Sequence, residues 1–587
     1  MRCARGPPTS TLPLVFLLLG FPWRTGHWVP MASPVRRWRR VPAAAGDSAD
    51  TASATAPVVV WLRNELRLCD NPLLQRGLQL AKGNLQLVVC LDPREFQATT
   101  AFGSPKVGEL RKRFVEECLC DLRRRVAERG SRLLVQQKAP EEVLPALVSE
   151  GSTVLVTAQV CSEERAVERR VRKALEAKGA ALEVVPAAGI TDLVGPEELQ
   201  RAGVPSGEEF PVIFQRFFLP LRPFLLEICQ KGLSDAPVNL PSASGAELED
   251  EELRLTDAVP GTDIRGGETA GLERMTVWLN SGFRSYKDTF RSLQGDYSSR
   301  LGAHLAYGCI SPRRLVKEAL SHGSGQSSVH VEHFVYEMCW RDFFRHTAAR
   351  WGTGLFHVAG PAECGAHGMS SESSWKRDLG AERRWKEGST GVPLVDAAMR
   401  ELNETGYIGN LARQFVAAFL IEDLQIDWRV GADWFEATLV DYDVHSNWGQ
   451  WARSAGVVPT NEAKRNRVGG TRYYDLAMQR PEVSDYVRNW LPELQDVADE
   501  ELFSPWTNSW PIGKVLSATS NGSSYSKPLI SMRLKQYFES VSGASRLCGL
   551  PSPRRAKKGK GQRKGGGAPR ATAALRWATS DSRFHGS

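Results

Sequence analysis

The chain has 587 residues, 42% hydrophobic and 24% charged, with a formal net charge of +8. That length and composition fit two to four globular domains and exclude a collagen-like, mucin-like or wholly disordered chain. The eleven Cys form no C-x-x-C pair and no regular spacing, which argues against a zinc ribbon or disulfide scaffold and for a reducing compartment.

Residues 1–46 hold seven Arg and no Asp or Glu. An acid-free, Arg-rich start reads as an organelle transit peptide. The apolar run Leu12–Phe21 leaves two alternatives open, a secretory signal or an extension upstream of a start at Met31. The run is too short to span a bilayer.

Short apolar runs at Val58–Leu62, Leu85–Leu91, Arg132–Val135 and Thr153–Thr157 predict strands. Amphipathic segments at Pro72–Lys82, Lys106–Arg129, Glu141–Glu150 and Glu163–Lys178 predict helices between them. Such alternation implies a parallel α/β sheet, with ligands beyond the carboxyl ends of its strands. There is no G-x-G-x-x-G and no P-loop, so ordinary dinucleotide and triphosphate sites lack support. The stretch from Ser234 to Gly267, acidic at Glu247–Glu252, reads as a linker.

From Gly266 onward the pattern turns helical, with 3.6-residue periodicity in Ala270–Asn280, Pro312–Ser321, Val331–Trp351, Pro393–Glu404 and Leu411–Trp428. Asn410 and Arg413 share a helix face and suit a polar or phosphate ligand, with plain surface placement as the alternative. In DYDVHSNWGQW, Asp441 and Asp443 stand two apart ahead of Asn447. Two close carboxylates can shift each other for acid–base work, or accept hydrogen bonds from a heterocycle or an Arg. No metal-ligand spacing is present, and His445 has no His partner. Six Trp (375, 385, 428, 434, 448 and 451) crowd one region. They can be core, or can relay electrons when in contact. Trp340–Arg341 can stack a base and pair a phosphate. Residues 552–570 hold eight Lys or Arg and no acid, a composition that cannot bury a core. The two basic ends outweigh a net-acidic body, so the +8 is no whole-chain argument for a nucleic-acid partner.

The strings WLRNELRLCDNPLL, GGETAGLERM, GDYSSRLGAHLAYGCISPR, EMCWRDFFR, TGVPLVDAAMREL, TGYIGNLARQ and DYDVHSNWGQW, in this order, resemble the photolyase/cryptochrome family, and within it the DASH type. The resemblance covers about residues 57–494. It implies a Rossmann-like α/β antenna domain (57–200) and an all-α FAD-binding domain (266–508) joined by a linker (201–265), and composition adds a transit peptide (1–46) and a disordered basic tail (509–587). It implies FAD held by Tyr286, Ser298, Ser299, Arg300, Leu301, Gly302, Arg413, Asp441, Asp443 and Asn447. Trp451, Trp428 and Trp375 resemble the electron chain from flavin to surface. Glu337, Trp340 and Asn410, with Arg341 nearby, resemble lesion-contacting residues, and the three polar ones also border the flavin. Glu117 resembles the carboxylate that binds a 5,10-methenyltetrahydrofolate antenna.

The implied activity is light-driven electron donation from reduced FAD to a flipped-out cyclobutane pyrimidine dimer, with single-stranded or looped DNA as partner. The alternative is a blue-light photoreceptor that binds FAD and nucleic acid without repair. A monomer without membrane attachment is expected, in the chloroplast ahead of the mitochondrion. The chain departs from the family at Gly302, where Ser is usual, at Asn410–Arg413, which replaces N-R-G-R, in residues 459–475, and around Ala187–Pro196.

Overall fold

The computed structural model describes residues 56–503, apart from 231–232, 243–247, 249–250, 258–262, 296, 323–327, 365–374 and 460–470, together with 525 and 528–529. The expectations for residues 1–46, for most of 509–587 and for most of 459–475 lie outside the described residues.

Five parallel strands, β1 (Val58–Leu62), β2 (Leu85–Cys90), β3 (Leu133–Gln136), β4 (Thr153–Thr157) and β5 (Ala181–Val185), form one sheet in the order β3-β2-β1-β4-β5. Successive residues of β1 face opposite ways and both sets are buried. Val58, Val60 and Leu62 pack with Phe114, Val115 and Leu119 of the Glu109–Ala127 helix. Val59 and Trp61 pack with Val171 and Leu175 of the Ser162–Glu176 helix. Cover on both faces is what allows a strand to read as an unbroken apolar run. β5 was not expected. Its sequence ALEVV is short, and its first residue is exposed.

The Glu141–Glu150 helix is in fact one turn, Pro140–Val143, followed by a 3-10 turn at Leu144–Ala146. Residues 201–265, read as a linker, contain the helices Phe214–Leu221 and Leu225–Gln230. Phe214, Phe217, Phe218, Leu221 and Leu225 enter a core shared with Trp278, Phe334 and Phe343. The single helix expected over Leu411–Trp428 is two. Helix Asn410–Ala418 runs into a π turn at Phe419–Asp423, and a new helix starts at Trp428. Gln425 adopts the left-handed backbone at φ +57, and Asp427 caps the second helix by accepting from Arg429 N.

The sheet is tied to the helical half through buried polar groups. Arg67 lies in the loop after β1 and is 1% exposed. Its guanidinium donates to the carbonyls of Cys69, Asp70, Gly308 and Ile190 at 2.8–3.2 Å. Glu268 accepts from Leu68 N and Cys69 N and pairs with Arg125. Gly308 has φ +63, and a Cβ there would sit 1.8 Å from the Asn64 carbonyl oxygen. Only glycine permits that approach. Helix Ser328–Trp351 is held from the other side: Asp342 accepts from Leu193 N and Val194 N, and Arg345 pairs with Asp192 at 2.9 Å.

Candidate functional site

The loop Ser298–Leu301 leads into the short helix Gly302–Ala306. Arg274 holds it by donating to Ser298 O and Ser299 O at 2.9 and 2.8 Å. Arg300 takes φ +52, outside the comfortable range for an L side chain. The Ser298 hydroxyl meets the Tyr407 hydroxyl at 3.1 Å. The guanidinium groups of Arg300 and Arg413 lie 5.6 and 5.5 Å from the Tyr407 ring centroid, so two cations converge beside the loop. Next to Arg300 opens a cavity of 580 Å³, also lined by Arg400, Glu401, Asn489 and Trp490.

Arg413 donates from Nη2 to both oxygens of Asp441, at 3.0 and 2.8 Å, and from Nε to Ile408 O. A Cβ on Gly302 would stand 2.8 Å from Asp441 Oδ2 and 3.1 Å from Asp441 Cβ. Glycine at 302 therefore lets Asp441 close on the loop, which gives the departure from Ser a steric meaning. Asp443 faces elsewhere. It lies 3.0 Å from His445 Nε2 and accepts from the Ser446 hydroxyl at 2.6 Å. Burial pushes its pKa up, but His445, then the Arg341 charge and the Ser446 hydroxyl, outweigh that and hold it well below the usual carboxylate range. The two carboxylates thus have separate partners.

Asn447 is buried and donates to Ala432 O at 2.9 Å, one helix away. Trp451 packs edge-on to Trp385 at 6.1 Å and to Phe435 at 5.1 Å. Trp428 packs edge-on to Trp448 at 5.8 Å and donates to Val358 O. Trp375 adjoins Lys376, whose N–H donates to Gln425 O just ahead of Trp428. All three belong to, or pack against, one core.

Glu337 and Trp340 stand one turn apart on helix Ser328–Trp351. Glu337 has His333 Nε2 at 3.7 Å, and its carboxyl is pushed up to about 7 by burial, with Arg291 opposing. Tyr286 borders the same helix, its ring 5.6 Å from His333 and 5.8 Å from Phe334. Asn410 opens its helix half-buried and accepts from Gln414. Arg341 does not join Trp340. It donates to Thr191 O and Leu305 O, because the next residue on a helix points about 100° around the axis.

Arg341 instead lines a cavity of 480 Å³ beyond the carboxyl ends of β1, β2 and β4, where strand order reverses. Asn64, Asp92, Gln159, Asp443 and His445 line it too. Glu117 is outside this lining. Its carboxylate accepts from Arg113 and from Gly266 N.

Two further residues shape the site, Arg274 and Tyr407. Both sat inside strings that carried the resemblance, GGETAGLERM and TGYIGNLARQ. The residues present fit a flavin nucleotide. The two guanidinium groups suit a diphosphate, Asp441 offers acceptors, and the buried Tyr297 hydroxyl and His333 Nε2 have no hydrogen-bond partner among the described residues. Among the described residues no group of three metal-ligating side chains is found, and no helix is long and apolar enough to cross a membrane.

The profile described as "DNA photolyase" matches residues 58–218, and that of the "FAD binding domain of DNA photolyase" matches residues 334–538. The chain is 36% identical over 499 residues to a cryptochrome DASH of Gloeobacter violaceus, covering 82% of this chain and 94% of the relative. It is 34% identical to a chloroplastic/mitochondrial cryptochrome DASH of Oryza sativa subsp. japonica, covering 76% and 79%. The crystal structure of a Synechocystis cryptochrome superposes with a TM-score of 0.73 at 32% identity, covering 82% of this chain and 98% of that one. With an α/β half, a helical half and this extent of identity, the chain belongs to the photolyase/cryptochrome family, alongside the cryptochromes DASH.

Proposed function

We propose that the protein is a blue-light-driven FAD enzyme that repairs cyclobutane pyrimidine dimers, preferentially in single-stranded DNA. The observation that carries this reading is the Glu337 carboxyl, kept protonatable near neutral pH one turn from Trp340. Bound FAD supplies light absorption and the transferred electron. The chain supplies the rest. Arg300 and Arg413 would hold the diphosphate, and Asp441 and Asn447 would bind and orient the flavin. A neutral Glu337 donates a hydrogen bond to a pyrimidine carbonyl, and Trp340 and Asn410 meet the flipped bases.

Asp441→Ala leaves Arg413 without its carboxylate partner. The expected result is at least about a tenfold loss of FAD occupancy, read by visible absorbance and by reconstitution. Wild-type occupancy would reject Asp441 as a flavin residue.

The pH dependence has a definite sign. Folded Glu337 keeps its proton up to about 7, whereas an unfolded Glu releases it near 4.3. Its contribution to stability is therefore full below about 4.3 and lost as pH rises to 7. Dimer affinity should follow the same proton, holding below about 6 and falling through 7. Glu337→Gln keeps a donor and should flatten that profile. An unchanged profile in Glu337→Gln would exclude this carboxyl as its source.

A 5,10-methenyltetrahydrofolate antenna is proposed, with Glu117 as the carboxylate that binds it, on the strength of the family resemblance. The acid-free N-terminus and the chloroplastic/mitochondrial relatives support an organelle destination, and a monomer remains the proposed state. A second reading, a photoreceptor without repair, is favoured by one contact: Phe214 lies parallel on Trp340 and occupies a stacking face. Light-dependent repair of dimer-containing single- and double-stranded oligonucleotides decides between them. Repair of neither substrate rejects the enzyme reading.

A further inference from the structure

Trp340 is covered on both faces. Phe214 lies parallel to its ring at 3.8 Å, with 7° between the planes. Arg453 Cζ sits 4.5 Å from the centroid of the same ring. Groups that close cannot share one face without overlapping, so the guanidinium takes the side opposite Phe214. Arg453 comes from the last turn of helix Val444–Ser454, two residues past Trp451.

Its charge is poorly provided for. Among the described residues, the side chains that act on it are the hydroxyls of Tyr473 and Tyr336, with no carboxylate among them, and burial opposes its charge. Other arginines of the fold do have one: Arg413 has Asp441, Arg345 has Asp192 and Arg313 has Asp70. A half-buried guanidinium without an anion is costly, and a ring face returns only part of that cost. The arrangement is explained if the missing anion arrives with a ligand.

We propose that Arg453 is a phosphate-receiving specificity residue: a flipped base takes over the Trp340 face, and the displaced guanidinium pairs with the backbone phosphate of that nucleotide. The inference rests on the reading of the Trp340 face as a nucleic-acid site. The exchange replaces a cation on an aromatic ring with a base on the same ring, and gives the guanidinium a bidentate partner. Only a base already cheap to unstack repays displacement of the cation, so the residue favours damaged or single-stranded substrates.

The test uses the flavin-loaded, full-length protein in the dark, with dimer-containing and undamaged single-stranded oligonucleotides over a salt series. Arg453→Met keeps the stem and removes the charge. It should weaken binding of the dimer strand about tenfold, and flatten the slope of log affinity against log salt by about 0.7, one phosphate contact. Arg453→Lys keeps the charge and should keep the slope. Wild-type affinity and slope in Arg453→Met overturn the proposal. So does weaker binding with an unchanged slope, which marks a structural role. If wild type binds both strands equally, the dimer reading fails while the slope change still reports on Arg453. If it binds neither strand, both fail.

Discussion

Replacing Arg67 by methionine is expected to cost the fold about 3–5 kcal/mol. Methionine keeps most of the stem, so little cavity forms and the loss is chiefly polar. Five hydrogen bonds disappear at once, and the carbonyls of Cys69, Asp70, Gly308 and Ile190 lose the donor that met them. Buried acceptors without partners carry their full desolvation penalty. Asp70, which also accepts from Ser311 and Arg313, would keep those partners. The damage should therefore appear at the junction of the two halves, not in the sheet. Urea unfolding followed by Trp fluorescence reads it, with flavin content as a second probe for a separate transition. A loss below about 1 kcal/mol would show that water replaces the guanidinium at little cost.

Trp451→Phe is expected to slow flavin photoreduction by at least about tenfold, or about 1.4 kcal/mol in the rate-limiting barrier. Trp451 is 3% exposed and meets Trp385 and Phe435 edge-on. Phenylalanine keeps an aromatic ring in that core and removes the oxidisable indole. The chemical change thus exceeds the packing change, which is one of the milder core truncations. Trp385→Phe is the control: it lies against the same ring but outside the proposed relay. Transient absorption after a light pulse measures both variants. Equal slowing by the control, or none by Trp451→Phe, would reject the relay.

Four strands were legible because burial on both faces makes each a mainly apolar, β-branched run, unbroken in Val58–Leu62. The fifth lacked that signal, since its Ala181 is exposed. Helices Phe214–Leu221 and Leu225–Gln230 carry one of their own: Phe214, Phe217, Phe218, Leu221 and Leu225 repeat at helical spacing. The break before Trp428 had no comparable mark. Leu420 and Leu424 continue the apolar period across it, and the left-handed turn is carried by Gln425, a residue type that gives no warning.

At the site, the side chains of DYDVHSNWGQW were identifiable by type, but their partners were not. Asp441 meets Arg413 from 28 residues away, while Asp443 meets its own near neighbours. Contacts such as Glu117 with Gly266 depend on how the halves dock, which no local pattern encodes.

That docking has a further consequence for helix Ser328–Trp351. Asp342 and Arg345 project from it into the α/β half and engage Leu193, Val194 and Asp192. Glu337 and Trp340 sit on the same helix, at the proposed substrate face. Rotating or sliding the helix by one residue would break the first set before it could reorient the second. The sheet-bearing half therefore acts as an index pin for the helix that carries the proposed lesion face. Exchanging that half for a relative's would reset the pin, and with it the aim of Trp340, without altering one residue at the site.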